Sequence, residues 1–221
     1  MADKGVIIEY DFAAMDGAEL LFGMTGTFLK ELDGIPFDRM IEAKHFAGGS
    51  CQGCFAEYFA TVGTKKTAVK AAHDFDELVR KEFTAAVSKP PSAGFVEFVK
   101  TLTEKSVKVV IATRADIEQV RGTFAALSGP DVELYHEESS TYGSVKWDAW
   151  RLVCVRSKLR PYNTIAVAGS GFSVKAALRA GIGSVAVMNE HTAYQDYTGC
   201  DEFFKTLDAA AAKTVLEILR V

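Results

Sequence analysis

The chain has 221 residues, with 25 Lys and Arg against 29 Asp and Glu and a formal net charge of −4. That balance argues against a nucleic-acid or anionic-membrane surface, and no run of about 18 apolar residues offers a membrane span. A 48% hydrophobic content supplies the core of one large domain or two modest ones. The opening Met1-Ala2-Asp3-Lys4-Gly5 lacks the basic and apolar regions of a signal peptide. Four cysteines in this length do not resemble a disulfide framework, so a reducing cytoplasm is the expected compartment.

Val6, Ile7 and Ile8 read as a buried parallel strand that delivers Glu9, Asp11 and Asp16 to the carboxyl edge of a sheet. Glu9 and Asp11 are two apart. On an extended strand end their side chains leave the same face, which suggests a cation or acid/base site. A strand followed by a solvated acidic turn is the plainer alternative. Leu20, Leu21, Met24, Phe28 and Leu32 then fall at helical spacing, and Gly34-Ile35-Pro36 punctuates. Residues 37–46 predict a second helix ended by Gly48-Gly49. Ser50 is placed to cap a third through Phe59. Residues 65–86 predict one or two more. Residues 17–86 thus form a helical insert without a convincing strand.

Residues 88–92, with Pro90 and Pro91, read as a linker, and Ser92 as the cap of a helix striped by Phe95, Phe98, Val99 and Leu102. Strand and helix then alternate. Strands are expected at 107–112, 132–135, 165–168 and 184–188, and helices at 117–127, 148–158, 173–180 and 209–219. This alternation predicts a doubly wound parallel α/β sheet wrapped by helices, with its site at the strands' carboxyl ends. The first strand belongs to that sheet. Residues 1–16 and 87–221 therefore form a core domain, and residues 17–86 an inserted all-helical cap.

Thr113 and Arg114 end the 107–112 strand just before a helix, where a hydroxyl and backbone donors can hold an anion or simply cap the helix. Lys146, before the next helix, can neutralise a phosphate or pin a carboxylate. The turn from Ala168-Gly169-Ser170 into Ser173 offers backbone amides to an anion, without a full dinucleotide fingerprint.

Together these motifs resemble the haloacid dehalogenase superfamily, in its phosphatase and β-phosphoglucomutase-like branch with a helical cap. The family's first motif, Asp-x-Asp-Gly-Thr-Leu-x-Asp, is matched by Glu9 to Asp16. Its threonine or serine is matched by Thr113 and its lysine by Lys146. Its fourth motif is matched in the tail by Val174, Ala176, Ala177, Ala180 and Gly181. The resemblance implies a phosphorylated nucleophile at position 9, an acid/base at Asp11, phosphate held by Thr113, Arg114 and Lys146, and Mg²⁺ held by acids that include positions 9 and 11. Glu9 replaces the nucleophilic aspartate and is one methylene longer. Phe12 and Ala13 replace the glycine and threonine. Ala168 and Gly169 replace the acidic pair that helps hold the metal, which needs hard oxygen ligands. The expectation is therefore a fold member with degenerate motifs and little or no Mg²⁺-dependent phosphatase activity. It needs no cofactor and binds a small phosphorylated molecule or a protein partner. The alternative is an active, Mg²⁺-dependent phosphatase using Glu9 or Asp11. A shifted register would make Asp11 the nucleophile, with Ala13 two residues on as in the branch that cleaves carbon–phosphorus bonds. That would leave Glu9 buried and unpaired, which is costly.

Several other residues attract attention. Cys51 and Cys54 form a C-x-x-C at a helix start, a placement that lowers thiol pKa values, with His45 and His73 near in sequence; simple packing is the alternative. Cys154 reads as core and Cys200 as a loop thiol. Trp147 and Trp150 share one helix turn, and packing is expected of them. Tyr194 and Asp196 follow the last predicted strand, near the expected site edge.

Overall fold

In the computed structural model, the described residues are 4–46, 51–87, 91, 93–127, 129–130, 132–136 and 146–221; of Ala93 and residues 146–148 only the backbone is described. Six parallel strands lie in the order β3-β2-β1-β4-β5-β6: β1 (Gly5–Glu9), β2 (Lys108–Thr113), β3 (Glu133–His136), β4 (Thr164–Ala168), β5 (Gly183–Val187) and β6 (Glu202–Phe204). β1 is central and pairs Ile8 with Ile111 on β2 and with Val167 on β4. Every residue of β1 and β4 is buried, as expected of strands covered on both faces.

Alternation along these strands divides the core. Ile7, Val110 and Ala166 face α8 (Lys146–Arg156) and α9 (Gly171–Arg179), packing with Trp150, Val153 and Ala177. Val6, Ile8, Ile111 and Val167 face the other way, with Phe95 and Phe98 of α6 (Ala93–Glu104), Phe124 of α7 (Ile117–Ala126) and Val215 of α10 (Ala209–Leu219). The doubly wound α/β expectation holds.

Between β1 and α6 the chain is helical. A single turn, α1 (Tyr10–Ala13), is followed by α2 (Gly17–Asp33), α3 (Arg39–Ile41), a π-helical turn (Glu42–Phe46), α4 (Cys51–Val62) and α5 (Ala68–Ala86). Phe28, Phe55 and Phe75 pack with ring centroids 5.2–5.7 Å apart and knit α2, α4 and α5 together. α5 is tied to the core at its carboxyl end. Thr84 Oγ1 accepts from the Asp116 amide at 3.0 Å, and the Thr123 hydroxyl donates to the Val87 carbonyl at 3.0 Å.

Some expectations are revised. The helix expected over 37–46 is three α-helical residues running into a π-helical turn, and residues 65–86 make one helix, not two. The stripe Ala71, Phe75, Val79 and Phe83 stays on one buried face throughout α5, so nothing breaks it. β6 and α1 were not anticipated: β6 is three residues with two exposed, and α1 is one turn. Gly48-Gly49, the Ser50 cap, most of the 88–92 linker and the Ser92 cap lie outside the described residues.

Candidate functional site

Glu9 is the last residue of β1, and the chain turns helical at the next residue. Tyr10 stands at this turn, its ring fully buried 5.5 Å from Phe95 and 6.0 Å from Phe124. The expectation that Glu9 and Asp11 share one face of an extended strand end is therefore corrected. Extended spacing ends at Glu9, and the two carboxylates diverge toward different neighbouring strands.

Glu9 turns toward β4. Its Oε2 accepts from the Gly169 amide at 2.9 Å and its Oε1 from the Ser173 hydroxyl at 2.9 Å. Both donors lie at the amino end of α9, whose dipole also favours an anion. Ser170 caps that helix, accepting from the Ser173 amide at 3.2 Å. Asp11 turns toward β2. The Thr113 hydroxyl donates to its Oδ1 at 2.6 Å and the Arg114 amide to its Oδ2 at 2.7 Å. Glu9 and Asp11 are each 2% exposed, Thr113 0% and Arg114 3%, so both carboxylates and the donors to Asp11 lie away from solvent.

The two donors expected to hold phosphate thus hold the chain's own Asp11 carboxylate. The Glu9 arrangement also corrects the objection to the shifted register: Glu9 is buried but well paired. The turn from Gly169 to Ser173 is the one expected to face an anion, and the anion is Glu9; the Ser173 hydroxyl is a donor the sequence reading did not assign. The available signal was a hydroxyl in the first turn of the helix after the strand next to β1. Lys146 begins α8, but its side chain lies outside the described residues.

Phe12 and Arg114 fill the space between the acids and the inserted helices. The Arg114 guanidinium carbon lies 5.0 Å over the Phe12 ring, a cation–π stack. Phe12 in turn packs against Phe83 of α5, with centroids 6.0 Å apart. The positive charge of Arg114 also reaches Asp76 of α5. Burial raises the Asp76 carboxyl above its usual range, and Arg114 acts against that rise.

The haloacid dehalogenase resemblance implies Mg²⁺ here, and the residues do not fit it. A Cβ at Gly169 would lie 2.2 Å from Phe12 Cβ and 2.6 Å from its carbonyl carbon and oxygen. Phe12 therefore occupies the volume an acid at 169 would need. Ala168 is wholly buried in an apolar cluster with Val174, Ala186 and Tyr197. Among the described residues no group of three or more His, Cys, Asp or Glu side chains is arranged to hold a metal.

No family model and no curated protein sequence matches the chain. Solved structures do. The β-phosphoglucomutase from Clostridium difficile superposes with a TM-score of 0.73 at 12% identity, over 100% of this chain and 98% of that one. CbbY from Rhodobacter sphaeroides gives 0.70 at 15% identity, over 94% and 95%. A phosphonoacetaldehyde hydrolase-like protein from Oleispira antarctica gives 0.71 at 14% identity, over 100% and 94%. The chain has the haloacid dehalogenase-like fold. At these identities the likeness establishes the α/β core and the helices inserted after its first strand, and it leaves the chemistry to the residues.

Within this haloacid dehalogenase-like fold an open cleft of about 750 Å³ lies beside the paired acids, not over them. It is lined by Phe12, Met15, Asp16, Glu19, Asn189 and Lys205 among others, and Glu9, Asp11, Thr113 and Arg114 do not border it. Asp16 stands there as the residue preceding α2, exposed and without a capping bond.

Cys51 and Cys54 are free thiols, 5% and 4% exposed, and burial pushes Cys51 far above the usual thiol range. That is the opposite of an activated thiolate. His45 pairs with Glu57 at 3.0 Å instead of joining them. Cys154 and Trp150 are buried in the core, as expected. Asp196 is held below its usual range by Thr198, which donates from its amide at 2.8 Å, and by Lys175 at 2.9 Å.

Proposed function

We propose that this chain is a haloacid dehalogenase superfamily member that has given up Mg²⁺-dependent phosphoryl transfer. It acts by binding a small phosphorylated molecule or a protein partner. The observation that carries this reading is the pairing of Asp11 with the Thr113 hydroxyl and the Arg114 amide. Phosphoryl transfer is positioning plus electrostatic stabilisation of the transferring group. Here the donors for that group are held by a fixed carboxylate, and the carboxylate that would attack is held by Gly169 and Ser173. A phosphorylated ligand reaches Thr113 only by displacing Asp11. The phosphate-bound CbbY neighbour supports phosphate monoesters as the class to try first. A compartment without oxidation suits the four free cysteines, and we assign the protein to the cytoplasm on that ground.

A second reading keeps the chain an enzyme, with Asp11 as nucleophile. It is favoured by the same geometry, since Asp11, not Glu9, faces Thr113 and Arg114, and by the fold likeness to the phosphonoacetaldehyde hydrolase-like protein. A panel of phosphate esters and phosphonates, with and without millimolar Mg²⁺, separates the two. The expected result is no turnover above a heat-denatured control in any condition. Turnover abolished by Asp11→Asn would replace the first reading with the second. Turnover that also requires Mg²⁺ would overturn the account of the metal site.

A further inference from the structure

The inserted helices meet the core at a second place, independent of Glu9 and Asp11. Arg39 opens α3 and places Nη2 3.5 Å from Glu190 Oε2, while its Nη1 donates to the Glu190 carbonyl at 3.3 Å. The same guanidinium stands 5.9 Å over the Phe22 ring of α2, and Phe22 lies 5.3 Å from the ring of buried His191. Core residues Glu190 and His191 are thus held by α2 and α3.

Glu42 begins the π-helical turn three residues after Arg39. Its Oε2 is closed to solvent and accepts no hydrogen bond. The side chain borders a small, partly open cavity of about 30 Å³, walled by Thr25, Phe37, Phe46, Cys51 and Cys54 among others. The polar groups at hand are engaged elsewhere. Thr25 donates to the Leu21 carbonyl, Cys51 points at the Ala72 carbonyl, and Asp38 caps α3 by accepting from the Ile41 amide.

The titratable and charged groups facing Glu42 are Arg39 on the preceding turn, Tyr194 of the core and the thiols of α4. Arg39 favours the carboxylate form, but its charge is shared with Glu190. The negative charge of Glu42 in turn helps raise the Tyr194 phenol. A carboxylate in such surroundings is penalised, whereas a neutral carboxyl is tolerated.

We propose that Glu42 is a proton-operated latch: neutral, it keeps α3 and the π-helical turn seated on core residues Glu190 and His191, and ionised, it loosens that contact. Burial pushes the seated carboxyl up to about 7, against an ordinary 4.5. A carboxyl with a raised value in the seated state binds its proton more tightly there than when released. Seating is therefore strongest below the ordinary carboxylate range, weakens as pH rises through about 7, and is weakest above it. The partial exposure of Glu42 reduces the effect to about tenfold in the seated–released equilibrium.

Hydrogen exchange of the full chain, read by mass spectrometry from pH 5.5 to 8.5 and corrected for intrinsic exchange, tests this. Peptides covering residues 39–46 and 189–194 are expected to open about tenfold more at high pH, with a midpoint near 7, while α10 stays unchanged. Glu42→Gln mimics the neutral form and is expected to hold both peptides at the low-pH level throughout. His191 remains in that variant, so a slope that persists would overturn the proposal, as would a wild-type slope spread evenly over the molecule. Arg39→Met removes both the cation that favours ionisation and the grip on Glu190, so both peptides are expected to open more at every pH, with the midpoint moved upward. A midpoint that stays or falls would also overturn it.

Discussion

Gly169→Ala is expected to cost at least about 3 kcal/mol of folding stability and to lower the melting temperature by about 6–12 °C. The added Cβ meets Phe12 at 2.2 Å, and two of the three nearest atoms belong to the Phe12 backbone, which cannot swing aside like a side-chain tip. Relief requires α1 to move as a unit. α1 carries Asp11, anchored on Thr113 and Arg114, and Tyr10, wedged between Phe95 and Phe124. Gly169→Asp, which puts an acid where the haloacid dehalogenase resemblance implies one, is expected to be worse than alanine. Its longer side chain enters the same volume and brings a charge. Thermal denaturation of both variants checks this. Stability within about 1 kcal/mol of wild type would show that Phe12 yields easily and that position 169 has room for an acid.

Arg114→Met is expected to destabilise by about 3 kcal/mol, the usual scale for removing one partner of a buried charged group. Methionine keeps most of the apolar stem against Phe12, so lost charge dominates over lost packing. The buried carboxyl of Asp76 loses the cation that restrains its rise. Its folded pKa then climbs further above the unfolded value, so the deficit of the variant grows as pH rises from the carboxylate range toward neutrality. Urea denaturation at pH 5 and pH 7.5 reads both effects. Adding Asp76→Asn to the variant is expected to recover part of the loss and flatten its pH dependence. Equal losses in Arg114→Met with and without Asp76→Asn, at both pH values, would reduce Arg114 to a packing residue.

The sheet was legible because parallel strands buried on both faces must be apolar throughout, and 6–8, 109–112 and 165–168 are. Thr113 and Arg114 were legible because a strand-to-helix junction places a hydroxyl and amides at the sheet's carboxyl edge whatever the rest of the chain does. The loss of acids at 168 and 169 was equally plain in the sequence. What Glu9 does was not. Its direction follows from where β1 stops, at a turn whose Tyr10 packs on Phe95 and Phe124, 85 and 114 residues away. A one-residue change of conformation at that point sends two acids to opposite neighbours, and no local pattern encodes it. Phe12 was visible as added bulk. That its backbone fills the position of a missing acid emerges only once β1 and β4 lie side by side. Glu42 gave no signal at all, since a glutamate in a helical stretch reads as solvated surface until α2, α4 and the core close around it.

Asp11 holds the Thr113 hydroxyl and the Arg114 amide, and among the described residues no group of side chains is arranged to hold a metal. A crystal structure of the wild-type protein grown in millimolar Mg²⁺ and phosphate tests it most directly. Thr113 Oγ1 and the Arg114 amide are expected still on the Asp11 carboxylate, with Gly169 still against Phe12 and no metal density between Glu9 and Asp11. Phosphate on Thr113 and Arg114, with Mg²⁺ coordinated by Glu9 or Asp11, would contradict it.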